Sequence, residues 1–69
     1  MKMIVLHKTA YTTSGRAGYN EDILINSNNI KIVEHYTVGE EKSRVIFIDG
    51  TDVLVIENPR EILDMINNI

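Results

Sequence analysis

Residues 44–66, RVIFIDGTDVLVIENPREILDMI, constrain the fold more than any other part of the chain. Two apolar runs flank Asp49-Gly50. Asp-Gly in that setting is the strongest local signal for a β-hairpin, because a mirror-image two-residue turn needs positive φ values that these residues tolerate. The spacing predicts strands over 43–48 and 53–57. Val45 and Phe47 face one way and Ile46 and Ile48 the other, while Val53 and Val55 oppose Leu54 and Ile56. A strand with one wet face alternates apolar and polar residues, so a hairpin apolar on both faces calls for cover on both. The next residues mark a helix. Asn58 suits an N-cap, Pro59 the first helical position, and Glu61 lies three residues after the cap. Ile62, Met65, Ile66 and Ile69 recur at helical spacing, and Leu63 widens the stripe.

The upstream half reads as more strands. MIVLHK at 3–8 is a short apolar run without turn residues, and DILIN at 22–26 is a second. Between them, TAYTTSGRAGYNE at 9–21 reads as a loop about twice the usual connection length. Ser27, Asn28 and Asn29 punctuate a turn. IKIVEHYT at 30–37 then alternates imperfectly, with Ile30, Ile32, Glu34 and Tyr36 on one face and Lys31, Val33, His35 and Thr37 on the other. A charged connection, 38–42, leads to the hairpin. The expectation is one α+β domain over 1–69: an antiparallel meander of about five strands, open or curled into a small barrel, with the C-terminal helix packed on one face.

Size and charge narrow the partners. A chain of 69 residues buries only about 60% of its unfolded surface. It has no cysteine, so disulfides and thiolate metal sites cannot staple it, and two histidines are too few for a structural zinc. Association is the remaining staple. A homo-oligomer is therefore expected, with Ile46, Ile48, Leu54 and Ile56 as the candidate oligomer or partner interface. The net charge of −3 and the scattered Lys and Arg argue against duplex nucleic acid. The apolar run 3–6 is too short for a secretory signal or a membrane span, which points to a cytoplasmic protein that inserts in no membrane.

Residues 11–19, YTTSGRAGY, look the most suited to chemistry. Gly15 and Gly18 allow backbone N–H groups to form an anion nest, Thr12, Thr13 and Ser14 supply hydroxyls, Arg16 can grip a phosphate bidentately, and Tyr11 and Tyr19 can stack on a base. The plainer alternative is a surface loop, and G-R-A-G matches no established phosphate motif. His7, Glu34 and His35 lack a specified third ligand, and a strand histidine with one exposed edge is the ordinary case. Glu57 and Glu61 are accounted for by a strand end and a helix cap, Glu40 and Glu41 by a solvated turn, and Ser14 has no histidine and acid partners in sequence context. No catalytic residue, metal or cofactor is therefore expected, and the chain is not read as an enzyme.

INSNNIKIVE at 25–34, a variable turn, and VIFIDGTDVLVIENPREILDMI at 45–66 together resemble the small flagellar and swarming motility proteins of the FlbD type. Asn26, Ile30, Val33, Glu34, Gly50, Val55, Glu57 and Glu61 occupy positions of that pattern. Two features depart from it: the segment 9–22 is much longer, and HYTVGEE stands where Pro-Asp-Thr is usual. The resemblance implies a non-enzymatic adaptor working by protein contact. The alternative is a phage-type inhibitor that sequesters a nucleotide or phosphate through 9–22 at a subunit interface.

Overall fold

The computed structural model describes residues 2–11, 17–37 and 39–68, and of 9–11 and 17–19 the backbone alone. The elements are β1 (Met3–Tyr11), β2 (Ala17–Asn26), a 3-10 turn (Ser27–Asn29), β3 (Ile30–His35), β4 (Ser43–Phe47), β5 (Asp52–Val55) and α1 (Pro59–Asn67). β1 and β2 pair antiparallel as one sheet; β3, β4 and β5 form a second, in that order, also antiparallel. The fold is α+β, and the five strands do not close into a barrel.

Both sheets turn one face to a shared core. Alternation places Ile4, Leu6 and Ile25 inward from the hairpin and Val45 and Val55 inward from the second sheet, and Ile62 of α1 completes the buried set. Ile23, Ile30, Val33, Phe47, Val53, Met65 and Ile66 pack around it. The helix starts as its sequence dictates: the Asn58 side chain accepts from the Glu61 N–H at 2.9 Å, with Pro59 in the first turn. Leu63 does not widen the buried stripe; it is exposed on the flank. Ile69 lies outside the described residues. No helix among the described residues is long and apolar enough to cross a membrane.

Three expectations are corrected. The segment 9–21 is not all loop: the ladder runs from Met3↔Asn26 out to Tyr11↔Ala17, with an irregularity between Ala10 and Tyr11. Thr and Tyr suit a pleated strand, and cross-strand backbone bonds do not require aliphatic side chains. Asn20, Glu21 and Asp22 are exposed, so this stretch of β2 has no need of apolar residues. The faces of 30–37 are also reassigned. The register passes from Ile30↔Phe47 to Ile32↔Ile46, which leaves Lys31 as an extra residue on β3. This bulge lets Ile30 and Val33 both reach the core and turns Ile32 outward, where it is exposed.

The third correction concerns the Asp49-Gly50 turn. The first strand ends at Phe47 and the second runs over Asp52–Val55, where 43–48 and 53–57 were expected. The Gly50 N–H donates to the Phe47 carbonyl (2.9 Å) and the Phe47 N–H to the Thr51 carbonyl (2.8 Å). Gly50 has φ +91°, but no residue other than glycine has positive φ among the described residues. A mirror-image turn would need positive φ at Asp49 too. The connection is instead a three-residue loop: a turn over 47–50 closed by a left-handed glycine bulge. Asp49 Oδ1 accepts from the Thr51 N–H (2.9 Å) and hydroxyl (2.6 Å), which holds the Asp49 carboxyl below the usual carboxylate range, through the hydroxyl first.

A Cβ on Gly50 would meet nothing within 4 Å, so a substitution there tests backbone conformation alone. Gly50→Ala is expected to destabilise by about 1–2 kcal/mol and Gly50→Asn by less, read as urea midpoints at constant slope. A second change should act oppositely. The Ser43 hydroxyl is fully buried with no hydrogen-bond partner. Ser43→Ala removes a polar group that gains nothing from the fold, so urea denaturation should give equal or greater stability, by up to about 1 kcal/mol.

Candidate functional site

The two sheets meet along a seam between β1 and the end of β5. Among the described residues one backbone bond crosses it, from the Ile56 N–H to the His7 carbonyl at 2.8 Å. That bond fixes a parity. In an antiparallel strand, alternate residues direct their N–H and C=O to opposite sides, so His7 faces the seam and Leu6 and Lys8 face β2. His7↔Asp22 is therefore a pair without mutual backbone bonds, the closer of the two pair types, and its side chains stand together on the outer face of the hairpin.

Glu57 occupies the other side of the seam. Its side chain is only 7% exposed, and it accepts from the His7 N–H at Oε1 (2.9 Å) while Oε2 lies 2.6 Å from His7 Nδ1. A buried carboxylate is tolerable only when bonded, and here one residue supplies both partners. The other ring nitrogen, Nε2, is 3.1 Å from Asp22 Oδ1, on a side chain 74% exposed. The ring thus stands between two carboxylates. The His7 pKa is raised above its ordinary 6.5, first by the hydrogen bond to Glu57, with the charges of Glu57 and Asp22 adding to it and partial burial opposing.

Both ring nitrogens of His7 are engaged by carboxylate oxygens. No group of three or more His, Cys, Asp and Glu residues among those described is arranged to hold a metal. His7 and His35 stand on β1 and β3, which are not neighbours. The sequence attributed Glu57 to a strand end and missed its role. The signal was present: Val53, Val55 and Glu57 share one parity, so the inward face of this strand continues into an acid that must find a donor.

A second feature is a cleft of about 440 Å3 between the hairpin and the β4–β5 loop. Leu24, Ile25 and Asn26 form one wall, Phe47, Ile48, Asp49 and Thr51 the other, and Asn29 lies at the connecting turn. Leu24 is 69% exposed and Ile48 65%, the highest values among the large apolar side chains described. Alternation in DILIN turns Ile23 and Ile25 inward and leaves Leu24 outward, paired with the exposed Val5.

The predicted interface residues do not form one patch. Ile46 and Leu54 lie half-buried on the outer face of the second sheet, opposite Asp52 and Arg44 in the ladder, where Arg44 Nε bonds Asp52 Oδ2 at 2.6 Å. Ile48 belongs to the cleft, and Ile56 to the seam. Of the predicted ligand residues, Thr12, Thr13, Ser14 and Arg16 lie outside the described residues, as do the side chains of Tyr11 and Tyr19; the backbones of these two tyrosines stand at the far end of the hairpin. No family model, curated protein or solved structure matches the chain significantly.

Glu57→Ala should leave the His7 N–H unpaired at the seam, at a cost of about 1–3 kcal/mol. Asp22→Asn, at an exposed position, should change stability much less at pH 7. Thermal and urea unfolding of the two variants side by side checks the difference.

Proposed function

We propose that this protein is a non-enzymatic binding module, a cytoplasmic adaptor that takes an apolar segment of a protein partner into the cleft between Leu24 and Ile48. The observation that carries this reading is the concentration of exposed apolar surface at one concavity: the two most exposed large apolar side chains described line the same cleft, with Ile25 and Phe47 beside them. Single exposed apolar residues are unremarkable, but a grouped set rimmed by polar ones (here Asn26, Asn29, Asp49 and Thr51) is a recurrent feature of docking sites. The volume suits one or two anchoring side chains, the kind of contact that dominates protein interfaces. The likeness of residues 25–66 to swarming motility proteins favours the same class of activity over catalysis. A second copy of the chain is one partner this reading admits, with the outward Ile46 and Leu54 as further apolar surface for an oligomer.

A photo-crosslinking residue placed at 24 or at 48 should capture a partner, and the same residue placed at the exposed helix position 60 should not. Adding Ile48→Asp to the position-24 probe should reduce capture at least tenfold with an unchanged melting temperature. Native mass spectrometry of the product tells a second copy from a different protein. Equal capture from position 60, or capture indifferent to Ile48→Asp, would overturn the assignment of the cleft.

A further inference from the structure

The hairpin is attached to the rest of the described structure in two places besides the core. One is covalent: the 3-10 turn Ser27–Asn29 joins β2 to β3 and is braced by the Ile48 N–H to the Asn29 carbonyl at 2.9 Å. The other is the seam, where every hydrogen bond among the described residues runs through His7. The first is a chain connection and the second a set of hydrogen bonds between the two sheets. We infer that the Glu57–His7–Asp22 chain is a proton-operated latch on the seam between the two sheets.

The chemistry follows from counting donors. An imidazolium has two N–H groups, and the geometry offers each a carboxylate oxygen: Glu57 Oε2 at Nδ1 and Asp22 Oδ1 at Nε2. Loss of the ring proton to solvent leaves one N–H. The buried Glu57 has the stronger claim on it, but its bond to Nδ1 is then no longer charge-assisted and the carboxylate at the seam has lost its counter-charge, while Nε2 becomes an acceptor facing the acceptor Asp22. The charged groups facing the ring are Asp22 from β2 and Glu57 from the segment after β5. The neighbouring Lys8–Glu21 pair (3.6 Å) lies on the opposite face of the hairpin by alternation. The folded-state pKa lies above the unfolded 6.5, so the stability that the latch supplies is fully present below pH 6.5. That contribution is lost as pH rises through the folded-state value.

The consequence reaches the cleft, whose walls come from the two bodies that the latch holds: Leu24 and Ile25 from the hairpin, Phe47 and Ile48 from the second sheet. Partner affinity should fall over the same pH interval. That consequence rests on the binding reading, but the latch is testable without a partner. Two NMR measurements suffice: the titration of the His7 ring, and amide exchange of Ile56 corrected for its intrinsic rate, with Val45 as a core reference. Protection at Ile56 should fall about tenfold for each pH unit between 6.5 and the measured His7 pKa, with Val45 more protected than Ile56 throughout. In Asp22→Asn the His7 titration should move down, and the Ile56 step should move with it. The latch is overturned if Ile56 shows no step, if its step stays put in Asp22→Asn while the His7 titration moves, or if Ile56 is no less protected than Val45, which would mean that it exchanges only by global unfolding. If the step appears as expected and crosslinking at the cleft fails, the binding reading falls and the latch stands.

Discussion

A strand edge must put its N–H and C=O groups somewhere, and the fold turns on how β1 does so. One edge is satisfied along its whole length by β2. The other meets the end of β5, where the chain is already leaving the sheet for the helix cap at Asn58, and only Ile56 remains to offer a backbone donor. Glu57 supplies the missing acceptor from its side chain, so that a carboxylate does the work of a strand residue. Without it the His7 amide would be stranded at a junction closed to solvent on the Glu57 side. The same carboxylate orients the ring, and the ring in turn reaches Asp22 across the hairpin. Two sheets too short to pair fully are thus registered against one another at one residue. The shared core of Ile4, Leu6, Ile25, Val45, Val55 and Ile62 then has a fixed shape to fill.

That core is small because the sheets are small, and this explains where the remaining apolar residues went. Each strand offers two or three inward positions, and one short helix covers them. Ile46 and Leu54 share an outer face with the Arg44–Asp52 pair, an arrangement in which aliphatic side chains lie among charges on a partly wet sheet. The doubly apolar hairpin read from the sequence is therefore less demanding than it looks. Cover on its outer face comes in part from its own charged neighbours. Leu24 pairs with the exposed Val5 in the ladder, and Leu24 and Ile48 both stand open at a concavity. This is the physical ground for placing recognition there and not on the flat outer sheet.

Much of the fold was legible because local chemistry and long-range packing agree. The helix start is written in Asn58, Pro59 and Glu61, and the inward set Val45, Phe47, Val53 and Val55 follows from alternation that no bulge interrupts. Legibility failed where pairing overrides side-chain pattern. Lys31 is an extra residue that only the partner strand reveals, so the parity of 30–37 could not be read from one strand. The hairpin extends past its last apolar pair because backbone bonds continue after the core ends. The Asp-Gly signal located the turn but not its class, since the choice between two and three loop residues lies in the φ of Asp49. For the site, Arg16 and its neighbours drew attention by composition. The pair that organises the seam is separated by 50 residues and is composed of a histidine and a glutamate that each look ordinary alone.

The Glu57 case suggests how such pairs can be found in small β-rich chains. An acid at the inward parity of an apolar strand, directly before a helix cap, has three options: turn out to solvent, be neutral, or find a donor. The next residues, Asn58 and Pro59, fix the backbone direction into the helix, and Glu57 itself is 6% exposed. A donor close enough to prevent the second must come from an element already packed there, and the edge of β1 offers a backbone N–H together with a ring that can carry a positive charge. The tightness of the helix start is therefore what commits Glu57 to the seam. The same few residues that stop β5 and begin α1 also place at the joint between the sheets a histidine that holds its proton to a higher pH than an ordinary imidazole.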